Sequence, residues 1–360
     1  MGLNYMIKRR STLTNRKRLF TYILCLFILS HIMVHGTCLE KTSSQPIIIT
    51  VPTPFFKELV RELASPYVTV NVLYPEGVEP HEYQLTPKEV EIASKSHIIV
   101  STSHFPGEIK LEEMVMKGKI KAKLITLNDF LCYGLKLAVN PYTGKENLHA
   151  YWIDPSNTIA IARAIVEVLK DLDPKHANYY EVKFNEFKTK LEELTRTMIN
   201  LVKAVDKHIK AVITLPAEQY IARWLGIDIV MFIVKEHGLS PTISDLEKLI
   251  GLARRREIDL ILISDHIKDT KIGLFIRDVA SRYGIPIAYV KVLHSEGMGI
   301  GELIAYNVAS ITSALTQGVK SSLTDIPLFK IYFYSILILF TIIIIEFGVI
   351  LYLRRKLQLK

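Results

Sequence analysis

Short apolar runs alternate along this chain with longer stretches whose apolar positions recur every three or four residues. Residues 46–51, 68–74, 97–101 and 122–127 are runs rich in apolar and β-branched side chains, the composition of strands buried on both faces. Between them, residues 55–64, 87–95 and 109–117 carry the spacing of amphipathic helices. This alternation predicts a parallel sheet covered by helices. The pattern returns further on. Strands are predicted at 212–214, 227–232, 259–263 and 286–290, and helices at 217–225, 244–256, 271–283 and 301–315.

The segment between these halves is different. Residues 155–172 read as one helix, which Asp173-Pro174 breaks. From His176 to about His208 there is no Gly or Pro, and an apolar stripe runs through Tyr180, Phe184, Phe187, Leu191, Leu194, Met198, Leu201, Val202 and Val205. At a rise of ~1.5 Å per residue this helix is about 45–50 Å long, more than a small domain is wide. The predicted fold class is therefore α/β, with two parallel-sheet lobes at residues 46–150 and 209–318. One long helix, within a helical region at 151–208, joins them. Ligands bind preferentially in such a crevice, outside the carboxyl ends of the strands.

The two ends read as membrane segments. Residues 1–18 hold six basic residues and no acid, and residues 19–34 are apolar, so residues 1–38 are predicted to be a signal peptide or signal anchor. Residues 331–353 have Glu346 as their one charge, long enough for the ~20 residues that span a bilayer. The basic tail at 354–360 then lies in the cytoplasm by the positive-inside rule. The fold is thus predicted to end in a C-terminal transmembrane helix, a single-pass anchor that holds the body on the extracellular side of the cell membrane.

This changes the meaning of the charge. The formal net charge is +9, but eleven basic residues lie in 1–18 and 328–360 against Glu346 alone, so the body is near neutral. The basic balance is a topology signal and does not argue for a nucleic-acid partner. Of the three cysteines, Cys25 lies in the leader, while Cys38 and Cys132 are able to pair in an oxidising exterior. Cys38 as a lipid-modified N-terminus is the other reading.

The most informative stretch is 75–89. His81 follows Pro80 in a polar loop, and a helix start comes directly after it. Thr86 is placed as N-cap, Pro87 at the first helical position and Glu89 where a capping box needs it. An imidazole on so stiff a mount is a candidate metal ligand. His97, His104, His176, His208 and His237 have no such motif around them and read as structural or surface residues.

Pro80-His81-Glu82-Tyr83 with Thr86-Pro87 resembles the first ligand motif of the zinc- and manganese-binding solute-binding proteins of ABC transporters. His149-Ala-Tyr-Trp-Ile-Asp-Pro155 resembles that family's His-x-Trp-Leu-Asp-Pro, and Asp173-Pro174 with Tyr180 and Asn185 resembles the start of its backbone helix. The resemblance covers roughly residues 46–316. It implies two α/β lobes on a rigid long helix, with three histidines and a carboxylate holding the metal in the cleft. It also implies no enzyme activity, a permease partner and a monomer, with Zn2+ or, second, Mn2+ as the transported ligand.

Carried over residue by residue, the resemblance implies His81 and His149 as ligands. His149 stands three residues before Trp152 where the family has two, so either an extra residue is accommodated or Tyr151 takes the Trp place. The third histidine falls on Leu215, which cannot ligate, with Glu218 nearby as a substitute. The fourth position falls on His294. Asp265, beside His266 at the end of an apolar strand, is a further candidate at the cleft. The candidate set is thus His81, His149, His294, Asp265 and Glu218. The family's His- and Asp-rich loop is missing, since residues 133–148 contain no histidine.

Leu215 keeps a second reading open: a member with an incomplete site that takes another small ligand or docks in a membrane complex. A metal-dependent hydrolase with Glu218 as base is the third. No G-x-S-x-G, P-loop or HExxH motif supports catalysis.

Overall fold

The computed structural model describes residues 46–324, apart from Lys207 and His237. The leader, the apolar run 331–353 and the basic tail lie outside the described residues, as does Cys38. Cys132 is an exposed free thiol. Among the described residues, no helix is long and apolar enough to cross a membrane.

The first lobe is built on a four-stranded parallel sheet in the order β2-β1-β3-β4, from β1 (Ile47–Val51), β2 (Val68–Val72), β3 (Ile98–Val100) and β4 (Lys123–Ile125). Ile49 pairs with Val70 on one side and Ile98 on the other, and both Ile49 and Ile98 are fully buried. Helices α1 (Pro54–Ala64), α2 (Pro87–Ser94) and α3 (Pro106–Met116) each begin at a proline, whose fixed φ suits the first turn. The capping box before α2 is present: Glu89 accepts the Thr86 backbone N–H at 2.7 Å. The first turn of α3 was not predicted. Its start is fixed by Glu108, described below.

A short helix, α4 (Leu127–Cys132), and a two-stranded hairpin, β5 (Ala138–Val139) with β6 (Glu146–Asn147), also escaped prediction. The hairpin is too short to show a period of two, and it is bolted down by the other lobe. Asn147 Nδ2 donates to the Pro216 carbonyl at 2.8 Å, Gln219 Nε2 to Val139 at 2.9 Å, and the Ala138 N–H to the Tyr220 hydroxyl at 3.1 Å.

Helices α5 (Pro155–Leu172) and α6 (Ala177–Val205) form the helical region. The 29 residues of α6 give a length of about 43 Å. It ends at Val205, before the predicted His208, where Asp206 turns to extended backbone. Its buried side chains Tyr180, Phe184, Phe187, Leu191 and Val202 lie on the predicted stripe and join one apolar core that continues into both lobes.

The second lobe repeats the first. Strands β7 (Lys210–Ile213), β8 (Asp228–Phe232), β9 (Leu260–Ser264) and β10 (Ile287–Val290) form a parallel sheet in the order β10-β9-β7-β8. Helices α7 (Glu218–Leu225), α8 (Ile243–Arg254) and α9 (Lys271–Tyr283) cover it, and α10 (Ile300–Thr324) packs on β10 and back against α6. The loops after β2, β3, β7, β9 and β10 meet in the crevice between the lobes. Every candidate residue except His149, in the segment after β6, lies in one of these loops or, for Glu218, at the helix start that follows.

Candidate metal centre

Three imidazoles converge on the first-lobe wall of the crevice. His81 comes from the loop after β2, His104 from the loop after β3, and His149 from the segment between β6 and a single 3-10 turn at Tyr151–Ile153. One ring nitrogen from each lies within 4.8 Å of the other two, and all three are half-buried. His104 Nε2 and His149 Nδ1 lie 3.0 Å apart. That contact is a hydrogen bond, so one of the two nitrogens carries a proton there. A divalent cation competes for both lone pairs and releases that proton on binding.

Each ring is held by its own local device. Glu79 accepts the His81 backbone N–H at 3.3 Å, and the His81 ring packs edge-on against Phe105, with centroids 4.9 Å apart. The His149 N–H donates to Asn147 Oδ1 at 3.0 Å. Ala150 then takes a left-handed φ of 54°, which accommodates the extra residue before Trp152. Both aromatic rings after that turn are buried. Tyr151 donates its hydroxyl to the Thr102 carbonyl at 3.1 Å, and Trp152 packs on Phe56 and Phe105.

The loop of His104 is closed by a buried carboxylate. Glu108, in the first turn of α3, accepts backbone N–H bonds from Thr102 at 3.0 Å, Phe105 at 3.1 Å and His104 at 3.4 Å. It is 1% exposed, and burial pushes its carboxyl up to about 7 against those bonds. Gly107 makes this turn possible, because a Cβ there would meet the Tyr74 hydroxyl and the Leu85 side chain.

The second lobe contains the same device. Glu218, in the first turn of α7, accepts N–H bonds from Thr214 at 2.5 Å, Leu215 at 3.2 Å and Ser264 at 2.7 Å, and hydroxyl bonds from Thr214 and Ser264. It too is fully buried, with its carboxyl pushed up to about 7 by burial. The structure thus commits Glu218 to joining the ends of β7 and β9; its acceptor oxygens are used up on the chain itself.

The remaining two candidates also stand outside the histidine cluster. His294 is 7% exposed; its Nε2 lies 2.5 Å from the Met298 carbonyl and its ring stands edge-on to Phe55. Burial lowers its pKa, so it stays a neutral core imidazole. Asp265 pairs with Lys291 at 2.8 Å, which raises the pKa of the lysine. The structure therefore brings together His81 and His149 from the predicted set and adds His104, which sequence reading placed among structural residues. The signal was present. Ser103-His104-Phe105-Pro106 repeats the context of His81: a strand, a short loop, and an X-Pro helix start.

The crevice beside these rings is lined by residues of both lobes. Its second-lobe wall is mostly apolar, with Leu215, Ala217, Val292 and Leu293, and carries one imidazole, His266.

Comparison with known proteins agrees with this architecture. The family described as ZnuA, zinc-uptake complex component A, periplasmic, matches residues 49–314. The metal ABC transporter substrate-binding lipoprotein SloC of Streptococcus mutans is 23% identical over 82% of this chain and 98% of its own length. The manganese ABC transporter substrate-binding lipoprotein PsaA of Streptococcus pneumoniae is likewise 23% identical, with the same coverage. The solved structure of AdcAII from Streptococcus pneumoniae shares the fold, with a TM-score of 0.63 at 17% identity, over 76% of this chain and all of that one.

Proposed function

Because this chain belongs to the ZnuA family of metal ABC transporter substrate-binding proteins, we propose that its cargo is Zn2+, taken up by His81, His104 and His149. The observation that carries this reading is the convergence of three ring nitrogens within 4.8 Å in the interlobe crevice. Imidazole is a borderline donor that suits zinc, and zinc accepts four tetrahedral ligands with nitrogen at about 2.0–2.1 Å. Manganese favours oxygen donors and stands lower in the affinity order of divalent metals. Although PsaA is named for manganese, the two carboxylates predicted as ligands are engaged elsewhere, Glu218 within its lobe and Asp265 with Lys291, and among the described residues the group within 4.8 Å holds imidazoles and no carboxylate. Leu215 lines the crevice where a third histidine was expected, and His104 supplies that nitrogen from the other wall.

The bound ion is then delivered to an ABC permease, with the body held at the outer face of the membrane. Two observations support that tether: the apolar run at 331–353, and the lipoprotein names of the relatives. Titration of the full-length chain in detergent tests both parts. Zinc is expected to bind at least about 100-fold more tightly than manganese, and the protein is expected to partition into the detergent-rich phase. Binding of both metals weaker than about micromolar, on the order of 8 kcal/mol, would contradict the reading of cargo. Recovery in the aqueous phase would contradict the tether.

A further inference from the structure

The three clustered histidines all lie on one wall of the crevice, and a fourth histidine lines the other. His266 lies in the 3-10 turn Asp265–Ile267 that follows β9, and it lines the same crevice as His81, His104 and His149. We infer that His266 is the donor of the second lobe, so that the cargo is held by imidazoles from both lobes. This rests on the metal reading above and extends it to a residue that the resemblance did not assign as a ligand.

The turn carrying His266 is fixed from three sides. Upstream, Ser264 gives its N–H and its hydroxyl to the buried Glu218, at 2.7 Å each. At the turn itself, Asp265 is tied to Lys291 of the neighbouring strand loop at 2.8 Å. Downstream, α9 presses Gly273 directly onto the Ile267 and Lys268 carbonyls, so closely that a Cβ would collide with them. Side chains that serve as binding groups need such support, because ligand geometry is demanding and loosely held donors forfeit affinity. Nothing in the packing of an apolar wall requires this turn to present an imidazole. His266 itself is exposed, on a wall otherwise lined by the apolar Leu215, Val292 and Leu293.

His266 stands outside the group of three whose nitrogens lie within 4.8 Å. Its participation therefore requires the two walls to approach. Imidazole from the second lobe would make capture of the ion and approach of the lobes one event, as differential affinity for one state demands. The donor set is then four nitrogens. It discriminates against manganese more strongly than three nitrogens and a carboxylate would.

The test uses the full-length chain, with zinc itself and with Co2+ as a spectroscopic stand-in. Wild type, His266→Ala and His266→Asp are compared by competition titration and by X-ray absorption at the zinc edge. Wild type is expected to show four imidazole donors. His266→Ala is expected to show three and to bind zinc about 100-fold more weakly. His266→Asp is expected to restore part of the affinity, with one oxygen in place of a nitrogen and a shifted cobalt spectrum. Tight wild-type zinc binding that is within about two-fold in His266→Ala, with an unchanged donor count, overturns this inference and leaves the reading of cargo standing. A wild type that binds no zinc overturns both.

Discussion

His104→Ala is expected to weaken zinc binding by at least about 100-fold, while leaving the fold in place. The two halves of this result have separate physical grounds. The ring of His104 is the partner of His149 across 3.0 Å and the central member of the histidine group, since its centroid lies 4.7 Å from His81 and 4.5 Å from His149. Removing it takes away the nitrogen that links the other two rings of the cluster, and zinc takes three or four ligands. The loop, however, is closed through backbone N–H groups on Glu108, which an alanine at position 104 also supplies. The ring is half-buried and outside the main apolar core, so the stability change is expected within about 1 kcal/mol. His294→Ala is the informative contrast. It opens a gap against Phe55 and removes the bond to Met298, so it is expected to lower the melting temperature and leave zinc affinity nearly unchanged. Competition against a fluorescent chelator, with melting curves of both apo-proteins, reads the pair. Loss of affinity in His294→Ala but not in His104→Ala would return the site to the position implied by resemblance.

Glu218→Ala is expected to do the reverse: to cost about 3–5 kcal/mol of stability without removing a metal ligand. Three backbone N–H groups and two hydroxyls converge on this carboxylate, and an alanine strands all of them in a fully buried site. The penalty should depend on pH. The folded carboxyl titrates at about 7, raised from an ordinary value of 4.5. The folded state therefore binds the proton more tightly than the unfolded state, and wild-type stability from this group falls as pH rises from 4.5 to 7. The alanine variant lacks this titration. The difference between the two proteins should shrink by up to about 3 kcal/mol between pH 4.5 and pH 8. Denaturant unfolding at a series of pH values measures it. A flat difference, or a variant that folds well but loses zinc stoichiometry, would show that Glu218 acts on the metal instead.

These two residues mark where sequence reading succeeds and where it stops. The lobes, the parallel sheets and the long helix were legible because buried strands and amphipathic helices impose their periods over many residues, as the stripe from Tyr180 to Val205 does. The capping box at Thr86 was legible because its parts are local. His81 and His149 stood out as candidates through motif and neighbourhood together, and the structure places them side by side. The hydrogen bonds of Glu218 were not legible because they depend on Ser264, 46 residues away, whose approach follows from strand order. His104 was passed over because its context, a strand, a short loop and an X-Pro helix start, is shared by many surface histidines and names no partner. Its meaning comes from β3 lying beside β1, so that its loop meets the loop after β2. The β5–β6 hairpin was invisible for a related reason: its hydrogen bonds to Pro216, Gln219 and Tyr220 lie in the other lobe.

His81, His104 and His149 are proposed to hold the transported ion. The most direct measurement is a crystal structure of the zinc-loaded protein, with anomalous data collected on both sides of the zinc edge. One strong anomalous peak is expected in the crevice, about 2.0–2.1 Å from one ring nitrogen of each of these three histidines. A zinc peak coordinated by His294, Asp265 or Glu218, or a crevice with no peak at saturating zinc, would contradict it.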